Sequence, residues 1–209
     1  MSDGCLTKEQ FNNAIDRFIE KCQDLNENWH ARFVENDPEQ RYLAKRQIVA
    51  TAGEEKTKCE TVDVEENLDE NAFESCVYSR NTDQLKKILT FEYHVVYSLS
   101  YNVPVLYFSA WTQDGQLLSL DDIWKQVPEI HQEFLSYDKW SFITQQEHPL
   151  LHRPFFLVHP CHTADMMKQL LKNSSAYETD FSCYLTTWLS AVGPTVGIRL
   201  PLQFGMPQD

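Results

Sequence analysis

The stretch around Cys161 constrains this chain more than any other part of its sequence. The apolar run at residues 155–158 has the length and composition of a buried β-strand. Pro160 ends that run, because proline cannot donate to a strand ladder and holds the preceding His159 in an extended conformation. Thr163 is then predicted to cap a helix. Cys161 should therefore lie on a short connector at the positive end of a helix, where a thiolate is favoured.

The residues around Cys161 leave three interpretations open. A nucleophilic thiolate attacks carbonyl groups, and the thioester it forms stays activated toward amines. Alternatively, the thiol binds zinc together with neighbouring histidines, although structural zinc sites usually have paired ligands and only one cysteine lies here. It can also be one more buried cysteine at a strand end. Cysteine with nearby histidine would equally suit a cysteine peptidase. The histidines concerned are His148, His152, His159 and His162.

Composition and charge narrow the class of partner and the compartment. A length of 209 residues suits one domain with a sizeable core. A formal net charge of −13 argues against a nucleic-acid partner, because phosphate binding needs clustered lysine and arginine. The six cysteines form no CxxC pair, and we find neither a signal-peptide core nor a run of transmembrane length. We therefore expect a cytoplasmic or nuclear protein with free thiols and no membrane span, and take the cytoplasm as its location.

The first half of the chain predicts a helix followed by two strands. A capping-box sequence at residues 7–10 opens an amphipathic helix that is expected to end near Glu27. Residues 29–34 and 42–50 then have strand composition, on either side of a predicted turn at residues 36–39. Residues 53–74 are rich in acids and lack sustained periodicity, which predicts a solvated, flexible insertion.

Alternating residues predict a β-hairpin in the middle of the chain. It covers residues 91–111, with its two strands joined near Pro104. Ser119 is then expected to cap a short helix at residues 120–127. The polar residues 144–149 show no strand alternation, so we assign them to a loop before the strand that precedes Cys161.

The end of the chain predicts a last helix and completes the fold class. Apolar residues recur at helical spacing from Phe181 to Val192, and residues 196–204 are apolar and predicted to be extended. Strands in the middle and helices at both ends indicate an α+β fold with a largely antiparallel meander. We expect residues 1–209 to form a single domain that contains the insertion at 53–74.

Several of these stretches resemble one known family. Residues 155–161 (FFLVHPC) resemble the His-Pro-Cys site of the autophagy E2-like conjugating enzymes. Five further stretches resemble the Atg-ten branch of that family rather than the Atg-three branch, in the family's order over most of residues 91–202. They are 93–98 (YHVVYS), 101–108 (YNVPVLYF), 120–124 (LDDIW), 143–149 (ITQQEHP) and 188–194 (WLSAVGP).

The resemblance implies a fold, an activity and a set of partners. The fold would be a variant of the ubiquitin-conjugating fold. Cys161 would receive the C-terminal glycine of the ubiquitin-like modifier Atg-twelve from the E1-like enzyme Atg-seven and pass it to a lysine of Atg-five, with no separate E3 and no cofactor. An alternative of a different class is a non-catalytic adaptor that binds ubiquitin-like proteins through the hairpin at residues 93–111.

The chain departs from ordinary ubiquitin E2 enzymes at one important place. Those enzymes carry a His-Pro-Asn motif upstream of the cysteine, and its asparagine helps to stabilise the oxyanion; this chain has none. The candidates that we consider instead are His159, which orients or polarises the site, and four donors. The possible donors are Thr144, Gln145, Tyr93 and Tyr97. The structural interpretations are a strand end for His159, a turn bond for Thr144 and a core face for the two tyrosines. A tip with Tyr101 and Pro104 would be a docking patch for Atg-five if it is exposed.

Overall fold

The computed structural model describes residues 3–34, 37–51, 87–127, 142–172 and 183–206, and over these ranges it is an α+β fold, as predicted. The whole predicted acidic insertion at 53–74 lies outside the described residues, as does the join between the helices that follow Cys161. In chain order the elements are α1 (Lys8–Asp24), β1 (Trp29–Val34), β2 (Asp37–Thr51), β3 (Lys87–Ser98), β4 (Val103–Thr112), α2 (Leu120–Gln126), β5 (Ile143–Glu147), β6 (Pro154–Val158), α3 (Thr163–Leu171) and α4 (Tyr184–Val192), with 3₁₀ turns at Pro160–His162, Gly193–Val196 and Leu202–Gly205.

The described strands form one six-stranded antiparallel sheet in the order β1-β2-β3-β4-β6-β5. The predicted meander runs from β1 to β4, but β6 then pairs with β4 and leaves β5 at the edge. Residues 155–158 are all buried, as expected for a strand in the interior of a sheet, and β6 lies between β4 and β5. In contrast, Gln145, Gln146 and Glu147 of β5 are exposed. The loop assignment of residues 144–149 was therefore wrong for β5. A polar edge strand lacks the apolar alternation by which sequence patterns reveal strands.

Two of the three predicted helix caps, Thr7 and Ser119, are confirmed. The Thr7 hydroxyl accepts the N–H of Gln10, and the Gln10 side chain accepts the N–H of Thr7, which completes the capping box. Ser119 accepts the N–H of Asp122 in the same way at α2. Helix α1 ends at Asp24, before the predicted limit, because Asn26 adopts a left-handed conformation with φ of 54°.

Helix α1 covers the inner face of the sheet together with α4. Its apolar stripe is fully buried, and the Phe18 ring packs edge-on against the Trp29 ring at 5.7 Å between centroids. Trp188 of α4 is equally buried in the same core. Burial of a large apolar side chain contributes about 1.5–3 kcal/mol, so this face supplies much of the driving force for folding.

The turn of the β3–β4 hairpin lies earlier than the sequence suggested. Pro104 is buried inside β4, opposite Tyr97, and the connection spans residues 99–102. Asn102 supplies the left-handed residue of the turn, with φ of 54°. The fixed φ of proline is compatible with a strand, so Pro104 was a misleading turn signal. The exposed tip therefore presents Leu99 and Tyr101, without Pro104.

The chain after α4 is not extended as predicted. It forms two 3₁₀ turns, and its apolar side chains Val196, Ile198 and Phe204 are buried against the core. A run of apolar residues has the same composition in a strand and in an irregular segment that packs onto a core. The sequence pattern therefore could not distinguish these two structures. Among the described helices, none is long and apolar enough to cross a membrane.

The outer face of the sheet carries a buried pair of histidines that the sequence did not reveal. Nδ1 of His94 lies 3.2 Å from Nε2 of His148. Nδ1 of His148 accepts the N–H groups of Leu150 and Leu151, both at 3.2 Å, so its ring proton lies on Nε2 and is directed at His94. Burial, and then the neighbouring His94, lower the pKa of His148 from 6.5 to about 3.

We expect this pair to make the protein less stable in mild acid. Between the ordinary pKa of histidine and about 3, the unfolded state binds more protons than the folded state, so the free energy of unfolding falls as the pH falls. The limiting slope is about 1.4 kcal/mol per pH unit, and we expect a loss of about 1 kcal/mol between pH 6.5 and 5.5. Urea unfolding across this range measures it.

The matched variants are His148→Gln and His152→Gln, because the His152 side chain is exposed and pairs with Glu147 at the surface. His148→Gln should flatten the dependence on pH, and His152→Gln should leave it unchanged. The pKa of Glu92 is lowered by its hydrogen bond to His94, so its contribution is lost only below about 4.5, outside this window. An unaltered slope in His148→Gln would contradict the assignment.

Candidate active site

Cys161 lies in the 3₁₀ turn that joins β6 to α3, and its side chain is exposed. His159 caps this turn: its Nδ1 accepts the N–H of Cys161 at 3.2 Å. Because Nδ1 is the acceptor, the neutral ring carries its proton on Nε2. The thiol is therefore presented to solvent by a turn whose backbone is fixed at the residue that bears it.

The role predicted for Thr163 was wrong. Thr163 is the first residue of α3 and has helical dihedral angles, so its hydroxyl is not an N-cap. Its N–H donates to the carbonyl of Pro160 and joins the 3₁₀ turn to the helix. The cap lies earlier, at His159, because a histidine ring can accept a backbone N–H two residues ahead. Standard capping preferences favour serine, threonine and aspartate, so the sequence pointed to Thr163.

His159 makes two further contacts besides its bond to Cys161, and its backbone is restricted. Its N–H donates to the carbonyl of Phe142, next to β5, at 2.9 Å. Its ring meets the edge of the Tyr101 ring with 5.8 Å between centroids. Its backbone is extended, as the following Pro160 predicts. Tyr101, whose place beside His159 only the tertiary fold creates, was missed as a site residue.

Thr144 lies on the outer face of β5, paired with Leu157 of β6. Its hydroxyl oxygen is buried and has no hydrogen-bond partner among the described residues. A buried hydroxyl without a partner costs free energy, which ordinarily signals a function or a water molecule. The hydrogen bond to a turn that was predicted for this hydroxyl is therefore not formed among the described residues.

Tyr93 is placed away from the cysteine, in the core of the protein. Its ring packs against those of Phe91 and Phe108, and its hydroxyl donates to the carbonyl of Val196 at 2.8 Å. Burial raises the pKa of this hydroxyl well above its ordinary value. The structure therefore places Tyr93 in the packing role that was its structural interpretation.

The histidines considered as zinc ligands are dispersed in the fold. His148 faces His94 in the outer face, and His152 pairs with Glu147. His162 is exposed at the start of α3. Within the described part of the chain, no three His, Cys, Asp or Glu side chains are placed to hold one metal ion.

An open groove of about 610 Å³ reaches the Cys161 turn at His159 and Pro160. Its lining includes Val96, Val105 and Leu157 of the sheet, together with polar side chains such as Gln146 and Ser98. Such dimensions suit an extended peptide, since ligand pockets commonly span about 300–1,000 Å³.

Comparison with known proteins agrees with this arrangement. The family described as "Autophagocytosis associated protein, active-site domain" matches residues 10–203, which is most of the chain. This chain belongs to that family. The family places an active-site domain over the whole region that contains the Cys161 turn.

Two relatives carry the same name, ubiquitin-like-conjugating enzyme ATG10. The protein of Arabidopsis thaliana is 36% identical over 222 residues, covering 97% of this chain and 96% of that protein. The human protein is 49% identical over 123 residues, covering 59% of this chain and 56% of that protein, so this match spans little more than half of either. These relatives and the family confirm the predicted class, an E2-like conjugating enzyme of autophagy.

The fold is also similar to that of a solved structure, "Crystal structure of Autophagic E2, Atg10". The TM-score is 0.50 at 15% identity, and the match covers 92% of this chain and 98% of that chain. At this identity the likeness concerns the fold alone. It confirms the E2-like fold class that the resemblance implied.

The cap predicts how substitutions of His159 will behave. In His159→Asn the side-chain oxygen can still accept the N–H two residues ahead, whereas His159→Ala removes the acceptor. We expect the alanine variant to lose about 1 kcal/mol of stability. Its conjugating activity should also be about 10-fold lower, because the thiol is misplaced. The asparagine variant should retain the activity within about 3-fold. Urea unfolding and initial rates of conjugation measure both effects.

His162→Ala is the control, because His162 adjoins Cys161 but is exposed. An asparagine variant as slow as the alanine variant would contradict the cap and would assign the chemistry to Nε2–H instead.

Proposed function

We propose that this enzyme carries the ubiquitin-like modifier Atg-twelve as a thioester on Cys161 and transfers it to a lysine of Atg-five. The observation that carries the proposal is an exposed thiol on a capped turn, in a family defined by its active-site domain. An exposed cysteine at the start of a helix can exchange acyl groups, whereas a buried one would be inert. We place the activity in the cytoplasm, where thiols stay reduced.

The proposed reaction has two balanced steps. The Cys161 thiolate attacks the thioester between the modifier's C-terminal glycine and the E1-like enzyme Atg-seven; a new S–C bond forms and the E1 cysteine leaves as a thiolate. A lysine amine of Atg-five then attacks the carbonyl carbon held on Cys161. The isopeptide N–C bond forms, the S–C bond breaks, and the amine proton passes to solvent or to the departing sulfur.

The tetrahedral intermediate of each step needs a hydrogen-bond donor for its oxyanion. The N–H of Cys161 is committed to His159, so it does not serve this purpose in the ground state. We propose the hydroxyl of Thr144 as the donor, because it is a buried hydroxyl without a partner among the described residues. His159 is assigned a positioning role through its cap.

The groove supports the approach of an extended peptide to Cys161. A modifier reaches the thiol with its C-terminal residues extended, and the groove meets the Cys161 turn at His159 and Pro160. The adaptor alternative finds less support, because β3 and β4 lie inside the sheet and their apolar side chains are largely buried. Apart from the groove that Val96 and Val105 line, the most exposed large apolar side chains of the hairpin are Leu99 and Tyr101 at its tip.

Adduct formation with the E1-like enzyme, ATP and the modifier tests the proposal. We expect a band that disappears with reductant in the wild type and in Cys183→Ser, because Cys183 is another cysteine that is partly exposed. Cys161→Ser should give a band that resists reductant, as an oxygen ester does, and Cys161→Ala should give none. A reductant-sensitive band in Cys161→Ala would refute the assignment. Binding of the modifier without any adduct in the wild type would favour the adaptor.

The hairpin tip is the proposed docking point for Atg-five. Leu99 is 77% exposed at that tip, and an apolar side chain so exposed suits an interface. We expect Leu99→Glu to slow transfer to Atg-five about 10-fold, since one interface anchor is worth about 1.4 kcal/mol or more. Thioester formation should be slowed less, because Leu99 only borders the groove that reaches the Cys161 turn. Ile48→Glu is the control, because Ile48 is 73% exposed in β2. Equal slowing of transfer by both variants would contradict a specific docking point.

A further inference from the structure

Residues 4–6, here called the strap, press against the helix that begins just after Cys161. Gly4 is buried and has φ of +76°, a conformation that side chains disfavour. A Cβ atom at Gly4 would lie 2.0 Å from the carbonyl oxygen of Ala164 and 2.8 Å from the backbone nitrogen of Lys168. The hydroxyl of Tyr184 donates to the Gly4 carbonyl at 2.7 Å. Only glycine therefore fits this contact between the strap and α3.

The other end of the strap is bonded to the β3–β4 turn. The N–H of Leu6 donates to the carbonyl of Asn102 at 2.8 Å. The hydroxyl of Tyr97 donates to the Leu6 carbonyl at 2.7 Å, and the Leu6 side chain is buried. The hairpin thus supplies hydrogen-bond partners for both polar groups of the Leu6 backbone. Through these bonds the strap holds the β3–β4 turn in place.

The β3–β4 turn is linked to Cys161 through one aromatic contact and one hydrogen bond. Tyr101 lies next to Asn102, and the edge of its ring meets His159. His159 in turn holds the N–H of Cys161. The strap is therefore linked to the Cys161 turn by two routes. One runs through Tyr101 to His159, which precedes Cys161 in the chain, and the other runs through α3, which follows it.

We propose that the strap is a positioning element for acyl transfer, acting on the Cys161 turn through Gly4 against α3 and through Tyr101 against His159. This inference rests on the proposed function of Cys161. None of the strap residues touches the reacting atoms. Their effect is to keep the thiol and its cap in one geometry, and a displacement of about 1 Å at a reacting group can cost about 100-fold in rate.

Gly4→Ala and Gly115→Ala form a matched pair for the test. Both glycines have positive φ, +76° and +85°, but no atom lies within 4 Å of a Cβ placed at Gly115. The two substitutions thus introduce the same kind of backbone strain, and only Gly4→Ala drives a methyl group into α3. In the full chain, we expect Gly4→Ala to slow formation of the reductant-sensitive adduct about 10-fold or more, and Gly115→Ala to change it less than about 2-fold.

Two readouts separate positioning from a loss of stability. The NMR signals of the Cys161 amide and of the His159 ring nitrogens report the cap directly. The rate of Cys161 alkylation by iodoacetamide reports access to the thiol without any partner protein. Gly4→Ala should shift both signals and change the alkylation rate at a temperature where the variant is fully folded, whereas Gly115→Ala should leave them unchanged.

Tyr101→Ala and Tyr101→Phe test the same proposal if Gly4→Ala does not fold. Tyr101 is 44% exposed, so its truncation should be tolerated by the fold. Tyr101→Ala removes the ring edge from His159 and should lower the rate and shift the His159 signals, and Tyr101→Phe keeps the ring and should restore both.

The proposal is overturned if the folded Gly4→Ala and Tyr101→Ala proteins keep wild-type signals and rates within about 2-fold, which is too small for lost positioning. It is also overturned if Gly115→Ala slows the reaction as much as Gly4→Ala. Failure of the wild type to form an adduct would instead refute the proposed function, and the NMR and alkylation results would still decide whether the strap orders the turn.

Discussion

The hydrogen bond from the Cys161 N–H to Nδ1 of His159 is the interaction on which the site depends. It determines the ring tautomer, fixes the backbone of the residue that bears the thiol, and removes that N–H from the donors available to an oxyanion. Pro160 supports it, because proline holds His159 in the extended conformation from which its ring reaches forward. A strand, a cap and a helix are thereby joined within a few residues around one exposed thiol.

The sheet explains why this junction can be rigid. Strand β6 is buried between β4 and β5, and the carbonyl of Phe142 beside β5 accepts the N–H of His159. Strand β5 is polar and lies at the edge, so it closes the sheet without requiring a further layer of protein. The hairpin turn carries Tyr101 to the other side of His159. Parts of the chain distant in sequence thus meet at one histidine.

The sequence predicted the features that depend on local chemistry. The Thr7 capping box, the strand before Cys161 and the α+β class follow from capping preferences and apolar periodicity. The resemblance of residues 155–161 added the family, and the comparisons bear it out. Features that depend on neighbours were missed: β5 has no apolar alternation, Tyr101 meets His159 only in the folded chain, and the constraint on Gly4 comes from Ala164. The position of Tyr93 was also undecided by the sequence. An aromatic residue in a predicted strand suits the core and the site equally well, and only its burial in the structure assigns it to the core.

The central claim is that Cys161 is the residue that bears the modifier. It is tested most directly by mass spectrometry of the reductant-sensitive adduct, digested at acidic pH so that a thioester survives. The account predicts that the C-terminal residue of the modifier is found on the peptide containing Cys161. Its recovery on a peptide containing any of the other five cysteines, Cys5, Cys22, Cys59, Cys76 and Cys183, would contradict the account.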